Sequence, residues 1–137
     1  MRRRRAAALA VPLLVAGAAC ASEDPDTGPG PTVAVIQVID EEYRIELATP
    51  ALVDHAQRLL AGEDLATIPN GKIVRDDPSV NGPWSWHIDP ATIEFADLTM
   101  EVCDGLPSDV EDGTLTSDFY CPWAAEVVAV ETGEPST

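Results

Sequence analysis

The first twenty residues set the limits of any domain that this chain can form. Arg2–Arg5 precede the uncharged, mainly apolar run Ala6–Ala19, and this order is typical of an export signal. The run is shorter than the stretch of about 20 apolar residues that a membrane-spanning helix needs. We therefore expect the signal to be removed and the rest of the chain to fold outside the cytoplasm.

The end of the signal predicts a lipid anchor. The small residues Gly17-Ala18-Ala19 followed by Cys20 resemble the bacterial lipoprotein processing site, where cleavage precedes the cysteine and its sulfur is acylated. An aliphatic residue is more usual at the position of Gly17. The alternative is an ordinary secretory signal cut near Ala18 or Ala21. We expect a lipoprotein of the bacterial cell envelope, at the outer face of the cytoplasmic membrane, or else a secreted protein.

The charge of the chain excludes whole classes of partner. Eight Lys and Arg stand against 24 Asp and Glu, a net charge of −16, and loss of Arg2–Arg5 leaves four minus 24, or −20. Nucleic acid and anionic lipid both attract clustered Lys and Arg. We therefore expect no nucleic-acid partner and no membrane contact beyond the N-terminal lipid. The oligomeric state stays open.

Two polar segments flank a single predicted domain. Residues 21–31 consist largely of Pro, Gly and acids, a composition typical of disordered linkers. Residues 132–137 predict a disordered tail. Residues 32–131 remain, and a segment of about 100 residues is long enough for one domain with a modest core.

The cysteine content predicts a disulfide. If Cys20 is acylated, Cys103 and Cys121 are the two that remain, and two thiols in an exported domain are expected to oxidise. A bond at this spacing would stabilise the fold by about 3 kcal/mol. The alternative is a single catalytic thiol. It would need Lys or Arg nearby to stabilise a thiolate, and both cysteines stand among acids instead.

The first part of the domain predicts a hairpin followed by a helix. Val33–Val38 is apolar and largely β-branched, and Tyr43–Leu47 alternates apolar and charged residues, which predicts two strands joined by a short turn. Thr49 is then a helix cap and Pro50 the first helical residue. Gly62 is expected to end that helix.

Two short strands are predicted in the middle of the domain. Asn70-Gly71 is typical of a tight turn and precedes a strand at Lys72–Val74. Trp84–Ile88 is bounded by Gly82-Pro83 and Asp89-Pro90. Alternation along it places Trp84, Trp86 and Ile88 on one face and Ser85, His87 and Asp89 on the other.

The alternation changes phase near residue 97. Ile93 and Phe95 continue one period-two pattern, whereas Leu98, Met100 and Val102 occupy the opposite phase. A one-residue slip moves every side chain to the other face of a strand. We therefore expect a bulge or a bend at Ala96-Asp97.

The last segments complete a mixed fold. Pro107 and Gly113 mark the two ends of a short acidic helix, and Trp123–Val130 is apolar on both faces, which predicts an interior strand. We therefore predict an α+β fold, with an antiparallel sheet of five or six strands, one main helix packed on it and one disulfide.

Three stretches carry a likeness to a known family. They are Trp84–Pro90 (WSWHIDP), Met100–Glu111 (MEVCDGLPSDVE) and Cys121-Pro-Trp123, and Gly71-Lys72-Ile73 fits with them. Over residues 33–130 the chain resembles the N-terminal domain of the cAMP-inducible prespore protein family, which consists of small exported domains.

The resemblance implies structure but no reaction. It implies that Cys103 pairs with Cys121 and that Trp84–Pro90 belongs to the shared core, although another aromatic residue is commoner at Trp86. Relatives are sometimes labelled calmodulin-binding. That label does not carry over, because a calmodulin target needs a basic amphipathic helix and the predicted helix contains Arg58 as its one basic residue.

Catalytic and zinc sites are poorly supported by the spacing. Ser85, His87 and Asp89 contain the residue types of a hydrolytic triad, but alternate residues on a strand lie about 6.6 Å apart and project in parallel. A triad needs side chains that converge from separate elements. A zinc site would need both histidines, for example His55, His87 and Asp89. A histidine on the flank of the helix's apolar stripe more often packs there.

Calcium is the stronger metal hypothesis. Asp104, Asp109, Glu111 and Asp112 form the densest acidic group. They lack the order of acids, central glycine and closing glutamate of an EF-hand. The competing interpretation is a solvated acidic helix favoured by its own dipole.

These observations favour a non-enzymatic binding or interaction module without a cofactor. It would present an acidic face to a basic partner, or an aromatic groove to a ligand. A calcium-stabilised structural domain of the envelope is the alternative, and a small hydrolase is a third hypothesis. The tryptophans equally fit a core. The predicted partner surface comprises Trp84, Trp86, His87, Asp89 and Trp123.

Overall fold

The computed structural model describes residues 29–133. The predicted signal, Cys20, most of the linker and residues 134–137 lie outside this range, so their predictions are not tested. Within it, seven strands and two α-helices follow one another with short 3-10 turns between them. In chain order they are β1 (Thr32–Val38), β2 (Glu41–Glu46), α1 (Pro50–Leu60), β3 (Ile68–Val74), β4 (His87–Ile88), β5 (Glu94–Ala96), α2 (Pro107–Asp112), β6 (Phe119–Tyr120) and β7 (Ala125–Thr132).

The predicted hairpin and helix are confirmed. β1 and β2 pair antiparallel, from Val33 opposite Glu46 to Val38 opposite Glu41. Thr49 caps α1, because its hydroxyl accepts a hydrogen bond of 3.2 Å from the backbone N–H of Leu52. Local rules sufficed here because each signal acts within a few residues of itself.

The strands form two sheets instead of the single predicted sheet. β2, β1 and β7 make the first sheet, and β4, β3, β5 and β6 make the second, with β3 paired to each of the other three. All pairs are antiparallel. β7 lies at an edge of the first sheet, so the prediction that it is an interior strand is wrong. Its apolar residues contact α1 as well as β1, and periodicity alone does not distinguish these two kinds of cover.

The core lies between the first sheet on one side and α1 with the second sheet on the other. Tyr43 of β2 packs against Trp86 and Tyr120, with ring centroids 5.7 and 5.1 Å apart. All three rings are fully buried. Aromatic rings at these separations prefer tilted geometries and stabilise each other beyond simple burial, so this cluster joins the two sheets.

Strand β3 runs through the residues that we expected to turn. Asn70 and Gly71 belong to the strand and pair with β5 and β6. A Cβ atom at Gly71 would collide with Ile88 Cγ2, so the glycine is explained by the close approach of β4. The Asn-Gly pair is a turn signal only when the chain is allowed to reverse there, and here the neighbouring strands keep it extended.

The second half agrees with the prediction in its helix but not in its longer strand. α2 begins at Pro107 and ends before Gly113, whose φ of 81° places it in the left-handed region, as predicted. The strand expected over Trp84–Ile88 is reduced to β4. Before it, the buried Asn81 accepts a hydrogen bond from the Arg44 N–H and donates one to the Trp86 carbonyl. The backbone of Trp86 is therefore bonded to a side chain and not to a neighbouring strand.

Cys103 and Cys121 form the predicted disulfide. Their Cα atoms are 5.1 Å apart, and the Cys121 N–H donates a 2.7 Å hydrogen bond to the Cys103 carbonyl. Both cysteines are buried beside Ile68 at the start of β3. Between residues 29 and 133, no helix has the length and apolar character needed to cross a membrane.

Candidate functional site

The second sheet has one face in the core and one face toward solvent. Successive side chains of a strand point to opposite faces, so the pairing of Gly71 with Tyr120 places that ring inward. The next pair, Lys72 with Phe119, therefore faces outward. Asn70 and its partner Glu94 lie on the same outer face.

The loop after β5 borders this outer face with apolar side chains. Leu98, Met100 and Val102 are 82%, 72% and 67% exposed. The chain bends at Asp97, where the phase slip predicted a bulge or a bend. The three opposite-phase residues follow the bend and stay in solvent, because the chain beyond it pairs with no strand.

The loop and the outer face enclose a groove of about 420 Å³. We call it the disulfide groove, because Cys103 forms part of its wall. Ligand sites of small molecules and single side chains have volumes from about 300 to 1,000 Å³ and are largely apolar. The groove is lined by Asn70, Glu94, Ala96, Leu98, Thr99, Met100, Cys103, Ser117 and Phe119.

Several bonds other than strand pairing hold the loop in place. The disulfide attaches it to the segment after β6. Asp104 accepts a hydrogen bond of 2.8 Å from the Trp123 N–H, and the Trp123 indole N–H donates one of 2.8 Å to the Thr99 hydroxyl. A loop fixed at both ends in this way loses little further entropy when a ligand binds.

The groove has an acidic rim and one basic neighbour. Asp97, Glu101 and Asp118 are exposed and adjoin lining residues in sequence, and Glu94 is exposed on the floor. Lys72 lies on the same outer face, two residues beyond Asn70. The remaining cations of the described chain are engaged elsewhere: Arg44 with Glu131, Arg58 with Glu63 and Asp54, and Arg75 with the carbonyls of Val110 and Leu115.

The floor of the groove contains one amide without a bonding partner. Asn70 Oδ1 is buried and accepts no hydrogen bond from any residue between 29 and 133. A buried polar atom left without a partner costs about 1 to 3 kcal/mol. Nothing fixes the orientation of this amide, so rotation about χ2 can present either its oxygen or its nitrogen to the groove.

The predicted aromatic surface divides into core and exterior. Trp86 is buried in the core and contributes no surface. Trp84 is partly buried, and its indole N–H donates to the Glu42 carbonyl at 2.8 Å. Trp123 is 44% exposed and stands beside the disulfide-linked loop. Of the three, Trp123 is the one near the disulfide groove.

The residues considered for catalysis and zinc bond to separate partners. Ser85 donates its hydroxyl and N–H to the Glu111 carboxylate, and Asp89 accepts from the Ala91 N–H. His87 Nδ1 lies 2.6 Å from the Asp77 carbonyl. His55 lies on α1, where its Nε2 is 2.7 Å from the Ala66 carbonyl and its ring stacks on Phe95. Neither the triad nor the zinc set is therefore assembled in this part of the chain.

The calcium candidates act as local hydrogen-bond acceptors. Asp109 accepts from the Leu106 N–H at the start of α2, and Asp112 accepts from Thr114 after its end. The hydrogen bonds from Thr114 lower the pKa of Asp112 because they favour its charged form. Asp104 accepts from Trp123 and Glu111 from Ser85. In residues 29–133 no three His, Cys, Asp or Glu side chains are grouped to hold an ion, and calcium binding stays an untested hypothesis.

Sequence reasoning did not identify the disulfide groove. Leu98, Met100 and Phe119 were not predicted as a surface, and Asn70 was assigned to a turn. One signal pointed to them. Apolar residues that fall out of phase with their own strand cannot join the same core face, so the slip at residue 97 marked candidates for an exposed apolar cluster.

Comparison with known proteins identifies a family without a function. No curated protein and no solved structure matches the chain. Residues 31–134 match the model of one family, the N-terminal domain of the prespore protein, and this range contains every strand and helix given above as well as the disulfide. The chain therefore belongs to the prespore protein N-terminal domain family, in agreement with the resemblance carried by its tryptophan, cysteine and glycine motifs.

Proposed function

We propose that this protein is an exported, lipid-anchored binding module without enzymatic activity, and that its partner docks in the disulfide groove. The observation that carries the proposal is the exposure of Leu98, Met100 and Phe119 around one cavity. Contiguous apolar side chains on a protein surface commonly mark interaction sites.

The construction of the groove supports binding over catalysis. Its lining combines apolar side chains with an amide, hydroxyls and one carboxylate, Glu94. A general acid–base or nucleophilic site needs a nucleophile within hydrogen-bond reach of a base. Around this groove the described side chains include no such pair, since both histidines bond to backbone carbonyls elsewhere.

The environment-sensitive dye Nile red tests the apolar site in protein purified after expression of the full chain. We expect Leu98→Ser with Met100→Ser to reduce the dye's bound fluorescence several-fold without lowering the melting temperature, because both side chains are already exposed. Leu60→Ser is the matched control, since Leu60 is an exposed apolar residue on α1. Equal dye binding by all three proteins would contradict the proposed site.

The mass of the native protein tests the export and anchoring parts of the proposal. Lipoprotein processing would remove residues 1–19 and add acyl chains to Cys20. We expect this mass in the membrane fraction, and the unacylated mass after Cys20→Ser. A native protein that still carries Arg2–Arg5, with two thiols that alkylate without prior reduction, would overturn both the export and the lipid anchor.

A further inference from the structure

We propose that the disulfide groove recognises a basic, apolar polypeptide segment. A large apolar side chain of the partner enters the groove, and a neighbouring Arg or Lys side chain bonds to Glu94 and Asn70 on its floor. This inference rests on the proposed function, which names the groove, and adds to it the chemistry of the partner.

The apolar surface is more extensive than the cavity, which favours a polypeptide over a small molecule. Leu98 and Met100 line the groove, but Val102, on the same loop, lines a second hollow of about 270 Å³ with Asp104 and Asp109. An extended segment can place successive side chains in both hollows. Burial of the exposed parts of these side chains supplies the apolar share of the affinity, at about 25 cal/mol per Å².

The floor of the groove supplies acceptors for a cationic head group. Asn70 and Glu94 are directly opposite each other in the β3–β5 pair, so their Cβ atoms lie about 5 Å apart on the same face. Glu94 makes no ion pair with any residue of the described range. The Asn70 amide, which lacks an acceptor bond there, can add a second oxygen. A guanidinium group presents several N–H donors in a fixed fork that matches two adjacent acceptors.

The charge around the groove selects a cationic partner. Asp97, Glu101 and Asp118 add three carboxylates to the rim, against the single Lys72. An anionic segment would meet repulsion at each of these positions, whereas a basic one is attracted over about 10 Å at moderate salt. Lys72 is the residue that opposes the proposed partner, and its removal provides a test of opposite sign.

Three blocked pentapeptides of sequence Gly-Leu-X-Leu-Gly, with Arg, Gln or Glu as X, test the inference. Their dissociation constants are measured from Trp123 emission, because the peptides contain no tryptophan. We expect the Arg peptide to bind about tenfold more tightly than the Gln peptide, with the Glu peptide weakest. Glu94→Gln should remove most of the Arg preference and leave the Gln peptide unaffected, whereas Lys72→Gln should tighten binding of the Arg peptide.

Glu126→Gln provides the matched control, because it removes one exposed carboxylate from β7 in the other sheet. Equal losses in Glu94→Gln and Glu126→Gln would overturn the specific role of Glu94. Equal affinity of the three peptides, with Leu98→Ser still weakening each of them, would overturn the basic partner and leave the apolar docking site standing. If none of the peptides binds and Leu98→Ser leaves Nile red binding unchanged, the proposed function itself fails.

Discussion

Phe119 and Tyr120 are adjacent in strand β6 and have opposite environments. Tyr120 points inward, is fully buried between Tyr43 and Trp86, and donates its hydroxyl to the Gly105 carbonyl at 2.9 Å. Phe119 points outward, is 42% exposed, and lines the disulfide groove. The same short strand therefore belongs both to the core and to the proposed binding surface.

The difference shows how this small domain separates stability from recognition. The inner face of the second sheet is held by packing of rings that join it to the first sheet. The outer face is not covered by a second layer, and its loop is held by a disulfide and hydrogen bonds to Asp104 and Thr99. Substitutions outside the core are usually tolerated, so the outer face can vary without loss of the fold.

The largest expected effect compares the two neighbouring rings. Tyr120→Ala should lower the free energy of unfolding by about 3 to 5 kcal/mol, because it leaves a cavity in the aromatic cluster. Phe119→Ala should change it by less than about 1 kcal/mol, since that ring is already partly in water. Urea unfolding measures both. Similar losses for the two variants would mean that the faces do not differ as described.

The next effect concerns the bond that holds the groove. Replacing Cys103 and Cys121 together by Ala should destabilise the protein by about 3 kcal/mol, because the bond closes a loop of 18 residues in the unfolded chain. Near-ultraviolet circular dichroism from the aromatic cluster should persist at low temperature. Proteolysis should become faster between residues 97 and 106. A double variant as stable as the parent would contradict the role of the bond.

Alkaline titration tests the inner face through its two tyrosines, which are the only ones in the chain. Burial raises the pKa of Tyr43 and, as the main cause, that of Tyr120 above the ordinary value of 10.0. The unfolded chain ionises near pH 10 while the folded chain does not, so stability is fully present below pH 10 and is lost as the pH rises. The loss should reach about 2 to 3 kcal/mol at pH 11 for the pair.

The measurement for this titration is tyrosinate absorbance at alkaline pH together with far-ultraviolet circular dichroism. We expect the two signals to change together, because ionisation requires unfolding. Tyr43→Phe serves as the control, and it should remove about half of the pH-dependent loss. Tyrosinate absorbance that rises near pH 10 in a protein with unchanged circular dichroism would place at least one tyrosine outside the core.

The smallest effect on stability concerns Trp123. Because it is half-exposed and Trp86 is buried, Trp123→Phe should remove most of the emission that acrylamide quenches, with a stability change of about 1 kcal/mol or less. Trp86→Phe should leave the quenched fraction nearly unchanged and lower the stability more. Quenching that survives Trp123→Phe and is lost with Trp86→Phe would reverse the assignment of the two faces.

Local signals predicted the elements whose partners lie close in sequence. The hairpin of β1 and β2, the cap at Thr49, the start of α2 at Pro107 and its end at Gly113 were all predicted correctly. The disulfide was also predicted, since two thiols have only one possible pairing. Each of these depends on backbone geometry or chemistry that a few residues contain within themselves.

The failures involve cover by distant residues. Asn70-Gly71 has the composition of a turn, but β4, β5 and β6 keep it extended. The apolar segment at β7 was predicted as an interior strand, whereas α1 covers an edge strand. Trp86 and Trp123 are both tryptophans near family motifs, yet one is buried and the other is exposed. Residue type does not indicate which side of a sheet receives the second layer.

The sequence by itself determined the α+β composition, the disulfide, the acidic charge and the family, because these follow from local pattern, from thiol count and from motif. Tertiary structure alone decided that the strands divide into two sheets and that Leu98, Met100 and Phe119 surround a groove. The physical reason is that alternation shows which side chains share a face, while burial of that face depends on elements far away in the chain.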